Sequence, residues 1–177
     1  MIILSVILII AMIGIDQITK LLVIKFIELD EIINVIKFGS HEIFSLTHVR
    51  NKGAAWSSFS SKTTMLTIIT LILIVGLLLL LFVKPLQKKL INREVNVAEV
   101  VSFSLIISGG IGNLIDRIRL KEVVDFIKAD FINFPIFNFA DICVVIGCFL
   151  FIIDILVSDA KENRKKRANS EKTDEQI

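Results

Sequence analysis

Two acidic residues in the second half of the chain stand beside apolar segments, where an ionisable group is expensive and is a functional candidate by default. Asp125 lies between Val124 and Phe126 in Val123-Val124-Asp125-Phe126, with no adjacent cation, and such surroundings should raise its pKa. Asp141 ends Asn138-Phe139-Ala140-Asp141 at the start of an apolar run, where the dipole of a helix beginning there favours the charged carboxylate. Asn138 and Asp141 are three residues apart and share a helix face, and the phenylalanines at 134, 137 and 139 provide apolar surroundings. One dehydrated and one charge-stabilised carboxylate at similar depth can divide acid and base roles. The alternative is a pair of unrelated interfacial acids.

Three further clusters surround this pair in the sequence. In Gly109-Gly110-Ile111-Gly112-Asn113-Leu114-Ile115-Asp116-Arg117, the residues Asn113, Asp116 and Arg117 share a face, and the glycines thin the helix where another backbone can approach. Asp116 with Arg117 or another cation can also be read as a structural ion pair. Asp16 and Lys20 are four apart with the acid nearer the N-terminus, the better order for a helical ion pair, and a buried structural pair is the plain interpretation. Asn51-Lys52-Gly53-Ala54-Ala55-Trp56 reads by composition as a tight turn followed by an interfacial anchor, with Asn51 the residue able to do more.

The elements that must position these groups are membrane spans. The chain has 177 residues, 54% of them hydrophobic, and a mean hydropathy of +0.78. Its apolar residues gather in runs such as Thr64 to Val83, which no charge interrupts. A hydrocarbon core of about 30 Å needs roughly 20 mostly apolar residues in a helix. Four spans are expected, at about 2–27, 63–83, 95–118 and 137–157. The first must continue through Asp16 and Lys20. The third carries Glu99, three serines and the Gly109 to Arg117 cluster, so it must pack among its neighbours, with Ser104, Ser108 and Gly112 forming a ridge of small residues.

Orientation follows from the basic loops. Lys84, Lys88, Lys89 and Arg93 crowd the connection between spans two and three, and Lys161, Arg164, Lys165, Lys166 and Arg167 follow span four. Both segments, and with them the two termini, are expected to be cytoplasmic, which turns residues 28–62 and 119–136 outward. Glu31 to Phe38 and Glu42 to Val49 are rich in β-branched and aromatic residues and are separated by Gly39-Ser40, a pattern for a small strand pair within residues 28–62. Residues 161–177 read as a basic, disordered cytoplasmic tail.

Composition narrows the function classes. Twenty Lys+Arg against eighteen Asp+Glu, with the basic residues in loops and tail, do not make a nucleic-acid surface. Cys143 and Cys148 lie in one apolar segment and read as inert core thiols, and His41 and His48 have no ligand pattern around them, so no metal site is expected. A small transporter would show acids spread across depth and a repeat between halves. Here the acids cluster at the outer end and the halves are dissimilar.

Taken together, the five clusters resemble the lipoprotein signal peptidases, or signal peptidase II, of bacteria. The resemblance rests on Asp16-Gln17-Ile18-Thr19-Lys20, Asn51 to Trp56, Gly109 to Arg117, Val123 to Phe126, and Phe137-Asn138-Phe139-Ala140-Asp141, in family order across the whole membrane part. It implies an all-α membrane protein with four transmembrane helices and a small extracytoplasmic β-cradle. It also implies an aspartyl endopeptidase that cuts prolipoproteins just before a diacylglyceryl-modified cysteine. Asp125 and Asp141 fall on the family's catalytic pair. Asn51, Asn113, Arg117 and Asn138 fall on its polar site residues, Asp16, Lys20 and Asp116 on its supporting ones, and Gly53 and Trp56 within its outer loop motif. No cofactor is implied. The expected setting is the bacterial cytoplasmic membrane, with the site near the outer face, membrane lipid around it, and the enzyme acting as a monomer.

Overall fold

Backbone amides within a bilayer must be satisfied inside their own segment, and four apolar runs of this chain do so as helices. The computed structural model describes residues 1–39, 41–52, 63–91 and 93–174. Its elements are α1 (Ile2–Phe26), β1 (Ile32–Phe38), β2 (His41–Asn51), α2 (Thr63–Phe82), α3 (Lys84–Ile91), α4 (Val97–Leu120), β3 (Val123–Ala129) and α5 (Phe139–Asp174). Helices α1, α2, α4 and the first part of α5 are each long and apolar enough to cross a membrane.

Helix α4 is the central element, in contact with α1, α2 and α5. Its sequence explains the place: the serines, glycines and polar residues that lipid would not tolerate are buried against neighbours, whereas α2 exposes Ile68, Ile72 and Leu73. The small residues permit close approach. A Cβ on Gly109 would collide with the Ala140 carbonyl oxygen, and one on Gly112 with the Asp16 carboxylate, so α5 and α1 lie directly on α4 at these two positions. Ser102, Ser104 and Ser108 turn their hydroxyls back to carbonyls of their own helix, which leaves no orphaned donor on the packed face.

The start of α4 is locally encoded. Asn96 accepts from the Glu99 amide at 2.9 Å, the Glu99 carboxylate accepts from the Asn96 amide at 2.8 Å, and Arg93 holds Glu99 with two bonds of 2.6 and 2.7 Å. The connection before it holds the short helix α3, whose buried Gln87 donates to the Leu81 carbonyl. No such helix is evident in the sequence pattern.

The expected strand pair forms, with Gly39 in the left-handed conformation at φ 61° where the chain turns. It is joined by a third strand that was not expected. The sheet is antiparallel in the order β1-β2-β3, and Val49 of β2 lies opposite Asp125 of β3. Val123-Val124-Asp125-Phe126 is too short and too uniformly buried to show alternation, which is why a strand is hard to read there. Val124 and Phe126 pack with Val23 and Ile27, fixing the sheet to the end of α1.

Two expectations need correction. Residues 161–177 are expected as a disordered tail, whereas α5 continues past Val157 to Asp174, and 175–177 lie outside the described residues. Residues 158–174 hold many Ala, Glu, Lys and Arg and no Gly or Pro, so a helix already nucleated in the span extends through them at little cost. Cys143 is a core thiol as expected, whereas Cys148 is exposed on α5.

Candidate active site

Asp125 and Asp141 come from different elements and meet on one cavity of about 450 Å³. β3 carries Asp125, and the first turn of α5 carries Asp141. Three asparagines hold the two carboxylates. Asn51, the last residue of β2, donates to Asp125 Oδ2 at 2.8 Å. Asn138 donates its side-chain amide to Asp125 Oδ1 at 2.7 Å and its backbone N–H to Asp141 Oδ2 at 3.1 Å. Asn113 of α4 donates to Asp141 Oδ1 at 2.8 Å. Asn138 is fully buried and bonds to both acids, so it is the shared partner that sets one against the other.

The local sequence accounts for these positions. Asn138 and Asp141 form a reciprocal cap: the Asp141 amide donates to Asn138 Oδ1 at 3.0 Å while Asp141 accepts the Asn138 amide. Asp141 is thereby placed at the helix N-terminus, where the dipole supports a negative charge. Asp125 is 3% exposed. Burial pushes its pKa up to about 7, with the nearby Asp141 charge adding to the rise, while the bonds from Asn51 and Asn138 and the charge of Lys20 oppose it.

This shift has a consequence for stability. Because the folded pKa lies above the ordinary 3.8, the protonated group stabilises the fold most at low pH, and that contribution is lost as pH rises through about 7. Thermal unfolding in detergent is therefore expected to fall between pH 4 and 7 in the wild type relative to Asp125→Asn. The gap should reach a few kcal/mol, and a constant difference between the two proteins across that range would contradict the buried, protonated Asp125.

Behind the pair is a buried cluster that joins α1 to α4. Lys20 lies 3.0 Å from Asp16, 3.0 Å from Asp116 and 2.9 Å from Asn113 Oδ1. The cation that pairs with Asp116 is thus Lys20 of another helix, and Arg117 instead lines the cavity beside Asn113. Gln17 completes the cluster, donating to Asp16 and to the Gly112 carbonyl. Gln17 belongs to the Asp16 to Lys20 motif without a role assigned to it there, and its place next to Asp16 inside a span is the signal for it. Also unforeseen are two backbone donors: the Ala140 amide bonds to Asp16 at 2.9 Å, and the Val124 amide to Asp116 at 3.2 Å. No buried side-chain polar atom among the described residues lacks a partner.

The rest of the cavity wall is apolar, from Phe134 to Phe137 on one side and Ile142, Val145 and Ile146 of α5 on the other. Val145 and Ile146 are exposed along the flank of α5, so the cavity borders the surface that faces lipid. Of the expected site residues, Asp16, Lys20, Asn51, Asn113, Asp116, Arg117, Asp125, Asn138 and Asp141 converge here. Gly53 and Trp56 lie outside the described residues. Two acids tied to one buried asparagine at the mouth of an apolar cavity are an arrangement able to carry proton transfer or hydrolysis.

Known proteins are similar to this chain in sequence and in fold. Residues 8–157 match the family described as signal peptidase (SPase) II. A lipoprotein signal peptidase of Clostridium tetani is 41% identical over 164 residues, covering 91% of this chain and 97% of its own. One from Streptococcus thermophilus is 42% identical over 145 residues, covering 82% and 87%. A solved bacterial membrane enzyme superposes with a TM-score of 0.77 at 34% identity, over 89% of this chain and 90% of its own.

Proposed function

Because the chain belongs to the signal peptidase II family of membrane peptidases, we propose that it removes signal peptides from bacterial prolipoproteins as an intramembrane aspartyl endopeptidase. It cuts just before the cysteine that carries diacylglycerol, with Asp125 and Asp141 as the catalytic pair. The observation that carries this reading is the placement of both carboxylates on one cavity, bonded through Asn138.

Two carboxylates this closely linked do not both ionise readily, so the pair holds one proton at neutral pH. The ionised member takes a proton from a water between them, and the resulting hydroxide attacks the scissile carbonyl. The protonated member gives its proton to the developing oxyanion, which the side-chain amide of Asn51, on the cavity wall, also stabilises. Collapse of the tetrahedral intermediate returns a hydroxyl proton to the aspartate that gave it and expels the amine, which takes a proton from the acid formed in the first step. Arg117, on the cavity wall, satisfies peptide carbonyls of a substrate unwound at the site, since backbone at membrane depth must find partners in protein.

The location suits a substrate that arrives in the bilayer. The basic Lys84 to Arg93 segment adjoins the start of α4, and the acids gather at its other end, about 36 Å away for 24 residues of helix. With the basic segments and both termini cytoplasmic, the site opens near the outer face. Val145 and Ile146 then border the path of a signal helix and its acyl chains.

Cleavage of a prolipoprotein by the purified enzyme in detergent tests this. The lipidated form is expected to be cut before its cysteine at least about tenfold faster than the unlipidated form, without loss on adding a chelator. Equal rates would remove the lipid from the recognition, and failure to cut either form would overturn the function.

A further inference from the structure

We propose that Lys20 is a positioning residue that sets the spacing between the two catalytic acids. The inference rests on the reading of Asp125 and Asp141 as the catalytic pair, and Lys20 itself bonds to neither of them among the described residues.

An ammonium group has three donors. Those of Lys20, which is 2% exposed, are all engaged, by Asp16 Oδ2, Asp116 Oδ2 and Asn113 Oδ1. Each of these partners holds a group next to, or belonging to, a catalytic acid. Asp16 accepts the amide of Ala140, the residue before Asp141. Asp116 accepts the amide of Val124, the residue before Asp125. Asn113 uses its other end to donate to Asp141 itself. The strand that carries one acid and the helix that carries the other are therefore fastened to the same nitrogen.

The orientation of Asn113 depends on this nitrogen as well. Its carbonyl oxygen accepts from Lys20 and from Asn138, which leaves its amide hydrogens for Asp141. Turned over, the amide would face the ammonium with its own donors. Lys20 thus reaches both acids by three short paths, and no path contains more than one intervening side chain.

A role confined to holding the bundle together accounts for less. Buried charge clusters contribute little net stability compared with apolar packing of the same volume, and Ile9 of α1 already packs against the apolar cluster formed by α2 and α4. What a hydrophobic contact cannot supply is direction. Three fixed hydrogen bonds define a point from which both acid-bearing segments are held.

The test uses two variants chosen to avoid stranding extra charge. Lys20→Met/Asp116→Asn removes one cation and one anion together, and the asparagine retains an oxygen for the Val124 amide. Asp16→Asn likewise retains an oxygen for Ala140 but breaks the tie to Lys20. Cleavage kinetics are measured per folded molecule, with folding followed by thermal unfolding in detergent. A displacement of about 1 Å in a catalytic constellation costs on the order of 100-fold. The double variant is expected to lose about 100-fold in kcat and Asp16→Asn about tenfold, with KM within about twofold of wild type in both.

Wild-type kcat in both folded variants would overturn the proposal. So would the absence of folded protein in both, because the cluster would then be holding the bundle together. If wild type does not cleave, or if Asp125→Asn and Asp141→Asn remain active, it is the assignment of the catalytic pair that fails. If those controls behave and only the Lys20 cluster is silent, the failure belongs to this inference alone.

Discussion

Asp125→Asn and Asp141→Asn are each expected to lower the rate of prolipoprotein cleavage by about 10⁴-fold or more, the scale seen when one member of a catalytic unit is removed. Both substitutions remove the transferable proton and also cost bonding. Asp125 accepts from the side chains of Asn51 and Asn138, and Asp141 from the Asn113 side chain and the Asn138 amide, and an asparagine at either place can offer an oxygen to only one of its two donors. Each variant should therefore unfold at a somewhat lower temperature than wild type, as well as being inactive. Single-turnover cleavage of a lipidated prolipoprotein, on samples shown to be folded, measures the effect. Activity within tenfold of wild type in either variant would mean that the carboxylate is not part of the chemistry.

The second large effect is expected from a residue with no functional group. Gly109→Val places a side chain against the Ala140 carbonyl oxygen and 2.7 Å from Val144 Cγ2. A backbone carbonyl in the first turn of a helix cannot move aside as the end of a side chain can. Overpacking of this kind costs about 1–3 kcal/mol, and here the upper end is expected. The functional loss should exceed what instability alone explains, because Ala140 immediately precedes Asp141 and is held by Asp16. A fall of about 100-fold in kcat per folded molecule is expected. Gly110→Ala is the contrasting case: its Cβ would lie 3.1 Å from the tip of the Ile74 side chain, which can yield, so unfolding temperature and rate should stay near wild type. Equal effects at the two glycines would rule out the close approach of α4 and α5 as the thing that places Asp141.

Much of this site is legible along the chain because its parts are local. A span is recognisable from some twenty apolar residues, and the charges inside it stand out because lipid penalises them. The cap formed by Asn138 and Asp141 joins residues only three apart, and the ridge of small residues on α4 repeats every four. Each of these is a property of one segment and its period. The family motifs likewise name the acids and asparagines one cluster at a time.

What the tertiary structure decided is which of these faces meet. Lys20 finds its second acid at Asp116 instead of leaving that acid to Arg117, the next residue in sequence. Asp16 receives an amide from 124 positions away, and Asn51 reaches Asp125 across 74. Such pairings depend on how closely α1 and α5 can approach α4, which is set by the volume left at Gly109 and Gly112 and not by any pattern within the partners. β3 is a strand because β2 and Phe137 bond to its two edges, although its own residues show no alternation. The cavity has the same origin, since its walls come from a sheet, a loop and two helices that only packing brings together. Local chemistry determined which residues could act, whereas the depth and spacing at which they act follow from close contacts between segments far apart in the chain, whose free energy depends on shape and is invisible to periodicity.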